Sequence, residues 1–161
     1  MLIPPQQLNG AIMLNFTYSP SGLAMTEKFE GLELNSYQDQ VGVWTIGYGH
    51  TGPTIAQGQT ITQDQAALLL QSDVARAVHF VNNAVTAAIN QNHFDALVDF
   101  AFNLGTGALL SSTLLRDLNA GDFASAASQF PLWDHAGGVA VAGLLVRRQA
   151  EQTLFLTDPN A

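Results

Sequence analysis

Apolar residues repeat at helical spacing through most of the chain beyond residue 60. The clearest run predicts one long amphipathic helix. Its members are Leu69, Leu70, Val74, Ala77, Val78 and Val81. Thr62 and Gln65 precede this run in the pattern of a capping box, so we expect them to begin the helix. The same spacing predicts further helices over residues 92–105, 113–119, 123–130 and 144–156, and Asn92 and Asp95 are expected to open the first of these.

The first third of the chain has a different pattern. Ser19 and Pro20 are typical of a helix start, and the apolar positions that follow them end near Glu30. Residues 37–55 are rich in Val, Trp, Ile, Tyr and Thr but are interrupted by glycines, which indicates short strands joined by tight turns. Residues 1–18 lack periodicity, and we expect a tail or an arm laid on the domain.

This order of elements predicts an α+β fold that is mostly helical, with a small antiparallel sheet near the N-terminus and a helical C-terminal lobe. At 161 residues the chain has the size of one ordinary domain. We expect that domain to span residues 19–161, with a small lobe at about 19–60 and a helical lobe at about 61–156.

Composition excludes several classes of function. A chain that is 47% hydrophobic and 11% charged is not a disordered protein. The chain has no cysteine, which rules out disulfides, thiolate metal sites and a cysteine nucleophile. His79, His93 and His135 do not have the spacing of metal ligands, so we expect neither a metal nor a cofactor.

Charge and hydropathy bear on partners and location. The net charge of −8 repels nucleic acids and anionic membrane surfaces. The longest apolar stretch, residues 139–146, is about half of the ~20 residues that a spanning helix needs, so we expect no integral membrane segment. Residues 1–17 have no basic region, and we expect synthesis in the cytoplasm without a recognisable signal peptide.

The candidate chemistry lies in the motifs FEG and YQDQVGVWTIGYGHT, which hold Glu30, Asp39 and Thr45. Asp39 follows Glu30 by nine residues, and Thr45 follows Asp39 by six. These motifs resemble the phage-type lysozymes, glycoside hydrolase family 24, in which a glutamate, an aspartate and a threonine at this spacing form the active site. The later motifs NHFDALV, FNLG and STLL, with the pairs Gly-Leu and Arg-Arg, extend the resemblance over roughly residues 19–156.

The resemblance implies a lysozyme-like fold and hydrolysis of the β-1,4 bond between N-acetylmuramic acid and N-acetylglucosamine in peptidoglycan. It also implies inversion of configuration, for which the two carboxyl groups stand on the order of 6.5–9.5 Å apart. Independently, Glu30 at the carboxyl end of a helix faces the negative pole of the helix dipole, so its charged form is disfavoured and it can act as the acid. Asp39, in a polar turn, is expected to stay ionised while it and Thr45 hold the attacking water.

Several residues are candidates for binding the sugar chain. Tyr48 and Trp44 are candidates for stacking on sugar rings, whereas a core position is favoured for Trp133. Asn103 and Gly105 are candidates for the wall of the cleft, although the closing of a helix accounts for them equally well.

Four further residues are assigned structural roles near the site. His50 is expected to pair with an acid on the long helix, Asp73, rather than to act as a base. For Arg147 and Arg148 two interpretations stay open: one of them reaches Glu30 as a charge partner, or both lie at the surface.

The resemblance leaves the biological role open between host lysis by a phage and a secreted bacterial toxin that degrades cell walls. Two other functions remain as alternatives: a lysozyme-fold module that binds glycan without cutting it, and a lytic transglycosylase. The expected site of action is the periplasm or the cell wall. Besides peptidoglycan, the candidate partners are an export or holin system and an inhibitor or immunity protein, and we expect a monomer.

Overall fold

The computed structural model describes residues 6–8 and 11–160, with side chains described from residue 14 onward. The described helices are α1 (Pro20–Glu30), α2 (Gln63–Ala84), α3 (Gln91–Leu104), α4 (Thr106–Leu110), α5 (Thr113–Asn119), α6 (Phe123–Gln129) and α7 (Ala142–Leu156), with a 3-10 turn at Phe130–Leu132. The described strands are β1 (Gln6–Leu8), β2 (Ala11–Met13), β3 (Glu33–Gln38), β4 (Trp44–Gly47), β5 (His50–Thr51), β6 (His135–Ala136) and β7 (Val139–Ala140). The mostly helical architecture with a small antiparallel sheet is confirmed.

The described residues form two compact units. The first, here called the sheet unit, is Leu23–Ala75 and contains most of α1, the three strands β3 to β5 and the first half of α2. The second, here called the helical unit, contains the described residues up to Gly22 and from Arg76 onward. No described helix is both long enough and apolar enough to cross a bilayer.

The sheet unit is built on the three antiparallel strands β3, β4 and β5, with β4 in the centre. The central strand is largely buried, and Ile46 in it is 1% exposed. The same unit contains the buried face of α2. That face consists of Ala66, Leu70 and Val74. Gly47 allows the close approach, since a Cβ built on it would lie 3.3 Å from the Cβ of Ala66.

The helical unit is built around α3, which is buried without a break from Phe94 to Ala101. Aromatic rings pack against it: Phe130 and Trp133 each meet the Phe100 ring edge to face, with centroids 5.7 and 5.5 Å away. This contact places Trp133 against the hydrophobic core of the helical unit, where the sequence analysis favoured it.

Two predicted helix starts are confirmed by their capping hydrogen bonds. The Gly22 N–H donates to the Ser19 hydroxyl at 3.0 Å, at the start of α1. Thr62 and Gln65 form the predicted capping box: the Gln65 N–H donates to Thr62 Oγ1 at 3.2 Å, and the Thr62 N–H donates to Gln65 Oε1 at 2.8 Å.

The start of α3 differs from the prediction. Asn92 and Asp95 were expected to open this helix, but the cap is Asn90, whose side chain accepts the N–H of His93. Asp95 is 1% exposed and serves another purpose: its carboxylate accepts hydrogen bonds from the Ser19 backbone and hydroxyl. An aspartate that accepts hydrogen bonds inside the helix was therefore mistaken for a helix cap, because both uses favour the same residue type.

The expected N-terminal tail lies partly outside the described residues, which omit 1–5 and 9–10. Within the described part, β1 and β2 pair antiparallel, with Gln6 opposite Met13. Farther along, Phe16 is held against the helical unit, because its ring stacks on Phe94 at 5.2 Å and its N–H donates to Asn82 Oδ1 at 2.9 Å. The residues just before α1 therefore form an arm that packs on its own unit.

Candidate active site

Glu30 is the last residue of α1, where the helix brings its half-buried side chain to the sheet unit. The carboxyl group faces the turn between β4 and β5: a Cβ built on Gly49 would lie 3.8 Å from Glu30 Oε2. A side chain at residue 49 would therefore occupy the space in front of this carboxyl group.

Asp39 follows β3 directly and begins a tight turn that leads into β4. Its Oδ1 accepts two backbone hydrogen bonds, from the Val41 N–H at 2.9 Å and from the Val43 N–H at 2.8 Å. Its own N–H donates to the Val43 carbonyl at 3.0 Å. One carboxylate oxygen is thus fixed by the turn, and Oδ2 accepts no hydrogen bond from the described residues of the sheet unit.

Thr45 lies in the central strand, opposite Tyr37 on one side and Thr51 on the other. It is 4% exposed, and its hydroxyl donates to the Val43 carbonyl at 3.1 Å. Asp39 and Thr45 are therefore both attached to the backbone of Val43, whose N–H donates to Asp39 Oδ1 and whose carbonyl accepts from the Asp39 N–H and the Thr45 hydroxyl. Because the Thr45 proton is committed to that carbonyl, the oxygen offers only its lone pairs to a further partner.

An open depression of about 580 Å³ lies beside Asp39. Its lining residues are Tyr37, Gln38, Asp39, Gln40 and Val41. Val41 at the turn is 83% exposed and Tyr37 is 40% exposed, so an apolar and an aromatic surface flank the carboxylate. The sequence analysis did not single out these neighbours, although they sit within the motif that it used.

His50 and Asp73 form the contact that the sequence led us to expect. His50 Nδ1 lies 2.9 Å from each carboxylate oxygen of Asp73, and the two side chains are 19% and 29% exposed. The contact ties β5 to α2 within the sheet unit. The two contacts fix the orientation of the imidazole ring through Nδ1.

Tyr48 is only 6% exposed, so its ring is largely covered by the protein. Trp44 is half-buried at the start of β4. Stacking on a sugar ring requires an open aromatic face, which Tyr48 has little of and which Tyr37 has more of.

Arg147 and Arg148 belong to the helical unit, and neither lies at the surface: they are 4% and 0% exposed. Arg147 makes two hydrogen bonds to Asp99, from Nε to Oδ2 and from Nη2 to Oδ1, each 2.9 Å long. Arg148 donates to Glu151 Oε1 at 2.6 Å, and its guanidinium lies over the Phe100 ring at 5.1 Å. The interpretation of a purely surface role is therefore wrong, because buried carboxylates compensate both charges.

Burial shifts the ionisation of this cluster. It raises the pKa of Glu151 well above the ordinary value, and a hydrogen bond to Asp99 acts in the same direction. Burial also lowers the pKa of Arg148. The sequence analysis missed Asp99 and Glu151; the three-residue spacing from Arg148 to Glu151 on one helix face was the available signal.

Asn103 and Gly105 also belong to the helical unit. Asn103 Oδ1 accepts a hydrogen bond from Arg148 at 2.9 Å. Gly105 caps α3, since its N–H donates to the Ala101 carbonyl at 2.9 Å. Each of these contacts is structural, and Asn103 joins the buried arginine cluster.

Among the residues with described side chains, no group of three or more potential metal ligands converges.

Comparison with known proteins places these elements in a family. The family model described as Phage lysozyme matches residues 27–151, which include Glu30, Asp39 and Thr45. The endolysin of Bacillus phage B103 is 44% identical over 144 residues, covering 88% of this chain and 55% of the phage protein. The endolysin of Salmonella phage P22 is 38% identical over 143 residues, covering 86% of this chain and 97% of that protein. This chain thus spans about half the length of the Bacillus phage relatives that it matches.

Solved structures give the same fold. The muramidase domain of SpmX from Asticaccaulis excentricus superposes with a TM-score of 0.82 at 38% identity, covering 89% of this chain and 100% of that one. An endolysin from Escherichia coli O157:H7 phage FAHEc1 superposes with a TM-score of 0.84 at 36% identity, covering 90% and 96%. The expected lysozyme-like fold is confirmed.

Proposed function

Because this chain belongs to the phage lysozyme family, we propose that it is a muramidase, which hydrolyses the β-1,4 bond between N-acetylmuramic acid and N-acetylglucosamine in peptidoglycan. The observation that carries the proposal is the joint attachment of Asp39 and Thr45 to the backbone of Val43, within the segment that the family model matches. Two acceptors held by the backbone of one residue are suited to orient one water molecule.

The proposed water is held by Asp39 Oδ2 and Thr45 Oγ1. A carboxylate only accepts hydrogen bonds, and the Thr45 hydroxyl already donates to the Val43 carbonyl. The water therefore donates one proton to each of them. Its lone pair is then left to point at the anomeric carbon of the sugar.

In the proposed reaction Glu30 donates its proton to the oxygen that leaves with N-acetylglucosamine, while the bond from that oxygen to C1 of the muramic acid breaks. The water oxygen forms the new bond to C1 from the opposite face, and Asp39 takes the proton that the water loses. Glu30 ends deprotonated and Asp39 protonated, and exchange with solvent resets both groups.

Attack from the face opposite the leaving group inverts the configuration at C1. We therefore expect the first product to be the α anomer. Proton NMR of a soluble glycan chain, recorded before mutarotation, tests this step. A β anomer as the first product would contradict inversion.

The proposed site of action is the bacterial cell wall, and the proposed role is lysis of a phage host, because the relatives of phage origin are named endolysins. A relative from Enterobacteria phage PA-2, 37% identical over 137 residues, is named a SAR-endolysin. Because a fold alone does not determine function, assays in cells are the test for an export system, an inhibitor protein or a role as a secreted toxin.

Mass spectrometry of the fragments released from purified peptidoglycan tests the activity. We expect hydrated products that end in reducing N-acetylmuramic acid. Products lighter by one water would indicate a lytic transglycosylase, and binding without release would indicate a glycan-binding module.

A further inference from the structure

The turn between β3 and β4 contains a glycine that the proposed reaction does not use directly. Gly42 has φ +84°, in the left-handed region that other residues rarely adopt. Its N–H donates to the Asp39 carbonyl at 3.0 Å, which closes the turn. A Cβ on Gly42 would meet no atom within 4 Å, so the backbone angle and not space is what requires glycine here.

We propose that Gly42 is a positioning residue for Asp39 and Thr45, an inference that rests on the muramidase function proposed above. Its left-handed conformation sets the direction in which the chain enters Val43, and the backbone N–H and carbonyl of Val43 orient the two groups. The N–H of Val43 donates to Asp39 Oδ1 at 2.8 Å, and its carbonyl accepts from Thr45 Oγ1 at 3.1 Å.

The first part of the positioning concerns Asp39. The Val41 and Val43 N–H groups converge on Oδ1, which fixes the side-chain rotamer although the carboxylate is only half-buried. Oδ2 is then held in a fixed position from which its lone pairs can accept from water. A turn with a different backbone would lose one or both of these hydrogen bonds, and the carboxylate would rotate in solvent.

The second part concerns Thr45. If the Val43 carbonyl turned away, the Thr45 hydroxyl would be free to donate its proton to the water instead of accepting one. The water would then present a proton where the reaction needs a lone pair. A change at Gly42 therefore disturbs both contacts at once, although residue 42 touches neither the substrate nor the water.

The test compares Gly42→Ala with Gly58→Ala. Gly58 is a matched control: it lies in the same sheet unit, has φ +80°, and a Cβ on it would also meet no atom within 4 Å. Both variants impose similar backbone strain, so we expect similar decreases in Tm. We expect kcat for reducing-end release to fall on the order of 10- to 100-fold in Gly42→Ala alone, with KM nearly unchanged.

A third variant, Gly42→Asn, provides a rescue, because asparagine tolerates left-handed angles better than alanine does. We expect its kcat to lie between those of Gly42→Ala and the wild type. If the alanine variant does not fold, Gly42→Asn is compared with Gly58→Asn, and we still expect the lower kcat at residue 42.

The outcomes separate this inference from the proposed function. Equal kcat for the residue 42 and residue 58 variants, or a change confined to KM, would overturn the positioning role while the wild type remains active. A wild-type protein that releases no reducing ends would overturn the muramidase function itself, and the positioning role with it.

Discussion

The buried ion pair between Asp99 and Arg147 gives a prediction about stability. Asp99 is 0% exposed and Arg147 is 4% exposed, and two hydrogen bonds of 2.9 Å join them. The substitution Asp99→Asn keeps the size of the side chain but removes its charge. Arg147 is then left as a buried cation with a weaker partner.

The magnitude follows from that burial. Removal of one member of a buried pair costs about 3–5 kcal/mol, a large share of the roughly 5–15 kcal/mol that stabilises a typical domain. At about 2–4 °C per kcal/mol for a chain of this size, we expect Tm to fall by roughly 6–20 °C.

Asp117→Asn is the control, because it makes the same chemical change in an ion pair whose cation lies in solvent. Asp117 is 17% exposed, but its partner Arg116 is 73% exposed, at a distance of 2.9 Å. Such surface pairs contribute about 0–1 kcal/mol, so we expect Asp117→Asn to be nearly silent.

Urea unfolding followed by circular dichroism measures both variants. The double variant Asp99→Asn with Arg147→Met removes the buried cation as well, and we expect it to recover a substantial part of the lost stability. If Asp99→Asn lowered the free energy of unfolding no more than Asp117→Asn does, the claim that the buried ion pair is essential for stability would be refuted.

Three further predictions concern pH, salt and the proposed water site. Burial lowers the pKa of His93 below the ordinary histidine value of 6.5, and its Nδ1 accepts the Asn90 N–H at 3.1 Å. The neutral ring therefore stabilises the fold above pH 6.5, and this stability is lost as pH falls through the lowered pKa. Unfolding free energies from about pH 8 to about pH 5 should fall less in His93→Gln than in the wild type, and equal falls would contradict the assignment. The chain has a net charge of −8, and because Arg147 and Arg148 are buried, its surface carries few cations. Moderate salt screens the repulsion between this surface and the anionic cell wall, so turbidity assays should show faster lysis as salt is added. A loss of activity from the lowest salt concentration upward would count against this. Thr45→Val should lower kcat at least ~10-fold while Thr45→Ser retains more of it, and a fully active valine variant would exclude the hydroxyl from water binding.

Local signals predicted much of this fold. The capping patterns at Ser19 and at Thr62 with Gln65 involve residues three apart, so both partners of each contact lie within one short segment of the sequence. The turn that holds Asp39 is local in the same way, since its hydrogen bonds reach no farther than Val43. A short motif could therefore locate that part of the candidate site.

Long-range contacts were not predictable by the same means. Asp99 and Arg147 are 48 residues apart, and charged residues are usually exposed, so nothing local indicated that these two would be buried together. Asp95 gave a false cap signal for the same reason, because its partner Ser19 comes from a distant segment. The strands of β6 and β7 are two residues each, too short for an alternating pattern to be recognised.

The central claim is that Glu30 supplies the proton for cleavage of peptidoglycan. Its most direct test is the rate of reducing-end release from purified peptidoglycan by Glu30→Gln and by the wild type, with melting curves to match the folded fractions. We expect an unchanged melting temperature and a rate at least ~10²-fold lower, as removal of a general acid requires. A folded Glu30→Gln variant that releases reducing ends at a rate close to the wild type would contradict the claim.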